Sequence, residues 1–117
     1  MHPDTLLALS KRLADFAQER DWAQFHSPKN LASALVVEAG ELLEPFQWLT
    51  EAQSRSLSSE QLAAVTDEMA DVLLYLVQLA NALQVDLPKA AHEKVTRNEQ
   101  RYPVEKAKGR STKHDAL

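Results

Sequence analysis

The stretch from Ser58 to Leu83 reads SSEQLAAVTDEMADVLLYLVQLANAL, and it predicts one long helix. Ser58 and Gln61 have the spacing of a capping box, in which each side chain satisfies a backbone N–H at the start of a helix. Apolar residues then recur at helical spacing. They are Leu62, Val65, Met69, Leu73 and Leu76.

Three further helices are predicted around this one. Pro3 and Asp4 are start signals for the first, and Ser27 fits an N-cap for the second, which Pro45 ends because proline disrupts a helix interior. The predicted helices are Asp4 to Arg20, Pro28 to Glu44, and a last one that starts at Asp86-Leu87-Pro88 and stops at Tyr102-Pro103. Residues 50–58 are polar and predict a loop.

Four helices with short connections predict an all-α, four-helix-bundle-like subunit. We expect the domain to cover residues 1–103, and residues 104–117 to form a basic, flexible tail. The second helix is apolar on more than one face, with Val36, Val37 and Leu43 outside its main apolar line. Because one subunit of four helices would not cover all of these side chains, we expect a homo-oligomer.

The composition of the 117 residues excludes several classes of site. There is no cysteine, which excludes disulfides and thiolate metal sites, and the 2 glycines cannot build a glycine-rich phosphate loop. No apolar run approaches the roughly 20 residues needed to span a bilayer, and the N-terminus lacks the layout of a signal peptide. A cytoplasmic protein without a membrane partner is therefore expected.

The net charge of −4 is unevenly distributed along the chain. Arg55 is the only basic residue in the segment 30–88, which carries a net charge of −8. Its acidic residues are Glu38, Glu41, Glu44, Glu51, Glu60, Asp67, Glu68, Asp71 and Asp86. Since affinity for a nucleic-acid backbone depends on clustered Lys and Arg, no nucleic-acid partner is expected.

Two pairs of carboxylates share one spacing within this segment. Glu38 and Glu41 lie on the second helix, where Glu38 falls within the main apolar line, and Glu68 and Asp71 lie on the third. Periodicity alone places the second pair, with Tyr75 one turn later, on a solvent-facing line. An exposed acidic face normally includes basic partners, however, and none is present. Two interpretations remain open, a solvated acidic surface and an interior site for Mg²⁺, Mn²⁺ or Ca²⁺, the cations that oxygen ligands favour.

These residues resemble the signature of the MazG-like, all-α nucleoside triphosphate pyrophosphohydrolases, and in particular their dCTP pyrophosphatase-like branch. The similarity covers about residues 6–103. It is carried by Glu19-Arg20-Asp21-Trp22-x-Gln24-Phe25-His26-x-Pro28-x-Asn30-Leu31, Glu38-x-Gly40-Glu41-Leu42-x-Glu44-x-Phe46-Gln47-Trp48, Glu68-x-x-Asp71-Val72-Leu73-x-Tyr75-Leu76, Val85-Asp86-Leu87-Pro88 and Lys94-x-x-x-Asn98-x-x-Arg101-Tyr102-Pro103.

The resemblance implies hydrolysis of a nucleoside triphosphate to the monophosphate and pyrophosphate. Mg²⁺, with Mn²⁺ as a possible substitute, would be held by Glu38, Glu41, Glu68 and Asp71. Glu41 is our first choice for the group that takes a proton from water, and Glu38 is the second. The expected substrate is dCTP or a 5-modified dCTP, in nucleotide-pool sanitation. The alternatives are a dUTP-preferring or broad-specificity enzyme and a non-catalytic cation-binding helical module.

Aromatic residues at the ends of the first two helices are candidates for stacking on a base. They are Trp22, Phe25, Phe46 and Trp48, although Phe46 and Trp48 also fit a core or an oligomer interface. His26 and Asn30 are candidate nucleotide contacts. The resemblance adds Tyr75, Lys94, Asn98 and Tyr102 near the sugar and phosphates, and it implies dimers or tetramers with active sites at subunit boundaries.

Overall fold

The structure is a computed structural model that describes residues 5–117, and these residues fold into helices without any β-strand. The α-helices are α1 Leu6–Glu19, α2 Pro28–Leu43, α3 Glu51–Ser54, α4 Ser59–Leu83, α5 Leu87–Arg101 and α6 Val104–Ala107. Two short 3₁₀ helices cover Ala23–Phe25 and His114–Ala116. The predicted all-α class is confirmed.

The predicted caps of the long helices are present. Ser27 caps α2 through the backbone N–H of Asn30, and Asp86 caps α5. The capping box of α4 is complete, since Gln61 donates its backbone N–H to Ser58 Oγ at 3.1 Å and accepts the Ser58 N–H at 2.8 Å. Helix α1 begins after Thr5, whose hydroxyl oxygen accepts the Ala8 N–H. The predicted signals at Pro3 and Asp4 lie outside the described residues.

The prediction of a loop over residues 50–58 is wrong for its first half, because α3 forms there. Thr50 Oγ1 accepts the Gln53 N–H at 3.1 Å, and the Gln53 side chain accepts the Thr50 N–H at 2.9 Å. A single turn of helix is unfavourable because several backbone dihedral angles must be fixed for one hydrogen bond. The capping box offsets part of this cost, because it satisfies two backbone donors at the start of the helix. Polar composition alone therefore did not distinguish this short helix from a loop.

Residues 5–84 form one compact unit, in which α4 packs against α2 and α1. Its buried apolar residues are Ala17, Leu31, Val65, Val77 and Ala80. Much of the predicted apolar line of α4 is exposed instead, whereas its acidic line is half-buried and lies towards α2. The acidic line of α4 thus faces the carboxylates of α2.

Residues from Val85 to Leu117 form a second compact unit. It contains α5, α6 and the terminal 3₁₀ helix, and the ring of Tyr102 packs edge-on against His114 with 5.8 Å between centroids. Helix α5 ends at the predicted position, while the division into a domain over 1–103 and a tail over 104–117 stays a prediction. Within residues 5–117, no helix has both the length and the apolar character to cross a bilayer.

Candidate active site

Three glutamates converge between α2 and α4. Glu38 and Glu41 come from successive turns of α2, and Glu68 comes from α4; one carboxylate oxygen from each lies within 4.8 Å of the others. All three side chains are half-buried. Three oxygens so close together form the kind of ligand set that hard divalent cations prefer.

Two oxygens in this cluster have no hydrogen-bond partner among the residues that the structure describes. Glu38 Oε2 and Glu68 Oε2 are buried, and neither accepts a hydrogen bond. A buried polar atom without a partner is unfavourable, and two ionised carboxylates cannot satisfy each other because neither carries a donor. The cluster is therefore electrostatically incomplete as a purely protein structure, and a proton or a cation would complete it.

Two carboxyl groups in the cluster have a raised pKa. The pKa of Glu38 is raised to about 7, first because its protonated form can hydrogen-bond to Glu41, then because burial and the charges of Glu41 and Asp71 disfavour ionisation. Burial, followed by the charge of Glu41, also raises the pKa of Glu68. Both shifts indicate a site with more negative charge than its surroundings can stabilise.

Asp71, the fourth predicted metal ligand, lies beside this cluster but is not among the three converging residues. Its charge still raises the pKa of both Glu38 and Glu68, so it belongs to the same electrostatic site. On the solvent side, Glu41 and Glu68 also line an open acidic groove with Glu44 and Glu60. A cation can therefore approach the cluster from water.

A cavity of about 400 Å³ lies next to Asp71 and is lined by aromatic side chains. Trp22, His26 and Tyr75, three of the predicted substrate-binding residues, meet in its wall. Asp71 lines the same cavity, and its charge also raises the pKa of Glu38 in the acidic cluster. The structure thus brings a carboxylate centre and an aromatic pocket together around one side chain.

The turn after α1 places Trp22 in the wall of this cavity, which we call the aromatic cavity. Asp21 takes a left-handed conformation with φ of 53°, which reverses the chain, and Trp22 donates its backbone N–H to Ala17 at 2.9 Å. The Trp22 ring packs edge-on against Phe16, at 5.5 Å between centroids, and against His26, at 6.3 Å. These contacts orient the indole ring while leaving it 42% exposed.

Sequence reasoning missed the other six residues that line the aromatic cavity, three of which are aromatic or polar. These three are Phe16, Arg12 and Gln78, none of which was predicted as a site residue. Phe16 lies six residues before Trp22, and its place in the last turn of the helix was the available signal. Nothing in the sequence alone indicated Gln78.

Other predicted substrate contacts do not line the aromatic cavity. Asn30 uses its side-chain amide to donate to the Phe25 carbonyl at 3.1 Å, which holds the turn before α2. Trp48 is 86% exposed, and Phe25 is also exposed. Phe46 is half-buried outside the cavity wall. Their roles in binding stay predictions.

Lys94, Asn98 and Tyr102 belong to the second compact unit. A spacing of four residues places them along one side of α5 and its C-cap. Lys94 is exposed, whereas Asn98 and Tyr102 are half-buried, and the Tyr102 N–H is donated to the Asn98 carbonyl at 2.8 Å. Contact with a nucleotide stays a prediction for all three.

Comparison with known proteins provides the assignment to a family. The family model described as the MazG-like family matches residues 34–117. The chain belongs to the MazG-like family. This MazG-like chain is 47% identical to dCTP pyrophosphatase 1 of Rattus norvegicus and 48% identical to that of Mus musculus, with 98% of the chain and 69% of each relative covered.

A solved structure supports the same assignment. The crystal structure of a pyrophosphatase from Archaeoglobus fulgidus matches the MazG-like chain with a TM-score of 0.80 at 34% identity. The match covers 88% of this chain and 96% of the archaeal one. The family resemblance expected from the two carboxylate pairs is confirmed.

Proposed function

We propose that this protein hydrolyses dCTP, or a dCTP modified at the base, to the monophosphate and pyrophosphate in a Mg²⁺-dependent reaction. The observation that carries the proposal is the pair of buried, unpartnered oxygens of Glu38 and Glu68 beside a cavity lined by Trp22 and Tyr75. The relatives from rat and mouse are dCTP pyrophosphatases, which supports the choice of substrate.

The carboxylates fit the metal that this reaction requires. Glu38, Glu41 and Glu68 would hold Mg²⁺, or Mn²⁺ in its place, and Asp71 is proposed as a further ligand or a hydrogen-bond acceptor for metal-bound water. When bound, the cation supplies positive charge that offsets the charge of the triphosphate and stabilises the leaving pyrophosphate.

Glu41 is the proposed proton acceptor for the attacking water. Glu38 and Glu68 each have a buried oxygen that requires a permanent partner, whereas Glu41 is not among the residues with such an oxygen and lines the open acidic groove. A proton taken up by Glu41 can therefore pass to solvent after the reaction. Glu38 is the second candidate, because it lies within the same carboxylate cluster.

The aromatic cavity is proposed to hold the base. Trp22 offers an exposed ring face for stacking, and the phenol of Tyr75 lies in the same wall as Asp71, where the base end and the phosphate end of a nucleotide would meet. His26 is held at the Trp22 edge and completes the wall. A preference for dUTP, or a broad preference, would keep this arrangement and change only the polar contacts.

The remaining predicted contacts are proposed to complete the site in an assembled protein. Val36, Val37 and Leu43 are 59% to 71% exposed on α2, and Trp48 is more exposed still. An apolar surface of this kind supports burial against a second copy, as a dimer or a tetramer. Lys94, Asn98 and Tyr102 are proposed near the sugar and phosphates, and nucleotide-pool sanitation in the cytoplasm is the proposed role.

A panel of nucleotides tests the proposal. The four deoxynucleoside triphosphates, 5-methyl-dCTP and dUTP are incubated with the protein and Mg²⁺, and the released pyrophosphate is measured. The expected result is the highest kcat/KM on dCTP or 5-methyl-dCTP, with Glu38→Ala and Glu68→Ala abolishing turnover. Absence of turnover on every triphosphate, or turnover that both variants retain, would overturn it.

A further inference from the structure

A second cavity, of about 350 Å³, adjoins the aromatic cavity. Three residues line both cavities and form the wall between them: Leu13 of α1, His26 after the 3₁₀ turn, and Gln78 of α4. Beyond that wall, the second cavity is lined mainly by alanines and by the polar side chains of Gln18, Asp21 and Asn81. A ligand in the aromatic cavity would therefore meet these three shared residues at its inner end.

Gln78 continues the line of α4 that carries the proposed site. Residues 68, 71, 75 and 78 lie within about 80° of one another around a helix with 100° per residue. With a rise of 1.5 Å per residue, Gln78 lies roughly 10 Å along the axis from Asp71 and roughly 15 Å from Glu68. An extended nucleotide with its phosphates at the carboxylates would reach Gln78 with its base.

The side-chain amide of Gln78 is available for a ligand. It makes no hydrogen bond within residues 5–117, although the residue is half-buried. Asn81, one turn later, is different, since its amide donates to the Ser10 carbonyl at 3.2 Å and its oxygen accepts the Ser10 hydroxyl. Of the other two wall residues, Leu13 has no polar side-chain atom and the ring of His26 is packed against Trp22.

We propose that the Gln78 amide hydrogen-bonds the polar edge of the nucleobase in the aromatic cavity, at the position where cytosine and uracil differ, and that it accepts either base by presenting its acceptor or its donor. This inference rests on the proposed function. An amide offers both a donor and an acceptor. Cytosine presents an amino group at position 4, where uracil presents a carbonyl oxygen, so the acceptor of Gln78 pairs with cytosine and the donor pairs with uracil.

Two substitutions separate this role from simple packing. Gln78→Leu removes both polar groups while keeping a similar volume, and loss of one such hydrogen bond lowers affinity roughly threefold to tenfold. Gln78→Glu keeps the shape but presents only acceptors at neutral pH. It therefore retains the contact to the cytosine amino group and faces the uracil carbonyl with a second acceptor.

The experiment measures kcat/KM on dCTP and dUTP with Mg²⁺ for the wild type, both Gln78 variants and Gln18→Leu as the control. Gln18 is the matched control because it lines only the second cavity. We expect Gln78→Leu to raise KM for dCTP threefold to tenfold, Gln78→Glu to raise the dCTP to dUTP ratio about tenfold, and Gln18→Leu to stay within twofold of the wild type.

Each other outcome has a definite meaning. If the wild type is active and both Gln78 variants have KM values and dCTP to dUTP ratios within twofold of the wild type, the role of Gln78 is overturned. The proposed function is then unaffected. Equal losses on both substrates in Gln78→Glu indicate packing, and they overturn the role of Gln78 too. If Gln78→Leu does not fold, the ratio measured for Gln78→Glu decides, because both substrates are tested on one preparation. Absence of wild-type turnover overturns the proposed function, and this inference with it.

Discussion

Glu38 of α2 and Glu68 of α4 each bury a carboxylate oxygen that accepts no hydrogen bond, and ligand oxygens of the two residues lie within 4.8 Å of each other. Folding brings them together although 30 positions separate them in the chain. Like charges held this close in a half-buried site destabilise the fold unless a cation or a proton offsets them. The predictions below follow from that relationship and from the aromatic cavity beside it.

Removing or adding metal should change the stability of the folded protein. Because a cation that binds only the native state stabilises it, Mg²⁺ or Mn²⁺ at about a hundred times its Kd should raise Tm by roughly 10 °C. Glu68→Gln should lose most of this increase. Thermal melting with EDTA and with each metal measures it.

Asp67→Asn is the control for that experiment, since Asp67 is exposed on the same helix. It should respond to metal as the wild type does. A Tm that neither metal moves in any of the three proteins would instead favour a solvated acidic surface, the alternative that the sequence left open.

The raised pKa of Glu38 sets the direction of a pH dependence. Its ordinary pKa is 4.5 and its pKa in the folded protein is about 7, so the folded state holds more protons between these values. The free energy of unfolding of the metal-free protein should therefore receive a contribution from Glu38 that is present below pH 4.5 and is lost as pH rises through 7.

Urea unfolding at a series of pH values in EDTA measures this contribution. Glu38→Gln should flatten the pH dependence between pH 5 and 7, whereas Glu51→Gln, at an exposed position of α3, should leave it unchanged. Since protons compete with the cation for Glu38, affinity for Mg²⁺ should increase over the same interval. A Glu38→Gln profile that matches the wild type would contradict the assigned pKa.

The residues that formed this site were only partly predictable from the sequence. Helix bounds were accessible because caps such as Ser58 with Gln61 act within a few residues, and the pairing of Glu38-x-x-Glu41 with Glu68-x-x-Asp71 indicated the cluster. The orientation of α4 was not predictable from the sequence, because both its apolar line and its acidic line are candidates for burial. Only the packing of α4 against α2 decides which of the two lines is buried. For the same reason, the cavity wall that includes Phe16 and Gln78 depends on how α1, α4 and the turn after α1 pack together.

Trp22 should contribute most of the stacking energy in the aromatic cavity. Replacing a residue that stacks on a base by Ala typically costs about 1–3 kcal/mol, so Trp22→Ala should weaken nucleotide binding roughly tenfold to a hundredfold. Leu7→Ala, at an exposed position of α1, should have no effect. Calorimetric titration with a non-hydrolysable dCTP analogue measures both, and equal affinities would place the base elsewhere.

The exposed apolar face of α2 should be buried in a homo-oligomer. Val36→Asp introduces a charge at a side chain that is 71% exposed in the single chain, so it should not disturb the protomer core but should shift the protein to a smaller species. Leu7→Asp, at an exposed apolar position of α1, should not. Sedimentation velocity distinguishes them, and a wild type that sediments as a monomer at micromolar concentration would contradict this expectation.

Product analysis on dCTP tests the central claim most directly. Wild-type protein, Mg²⁺ and dCTP are incubated together, and the nucleotide and phosphate products are separated and quantified beside a reaction with Glu68→Gln. The account predicts equal amounts of dCMP and pyrophosphate from the wild type and at least a hundredfold slower reaction with the variant. Formation of dCDP and inorganic phosphate, or undiminished turnover by Glu68→Gln, would contradict it.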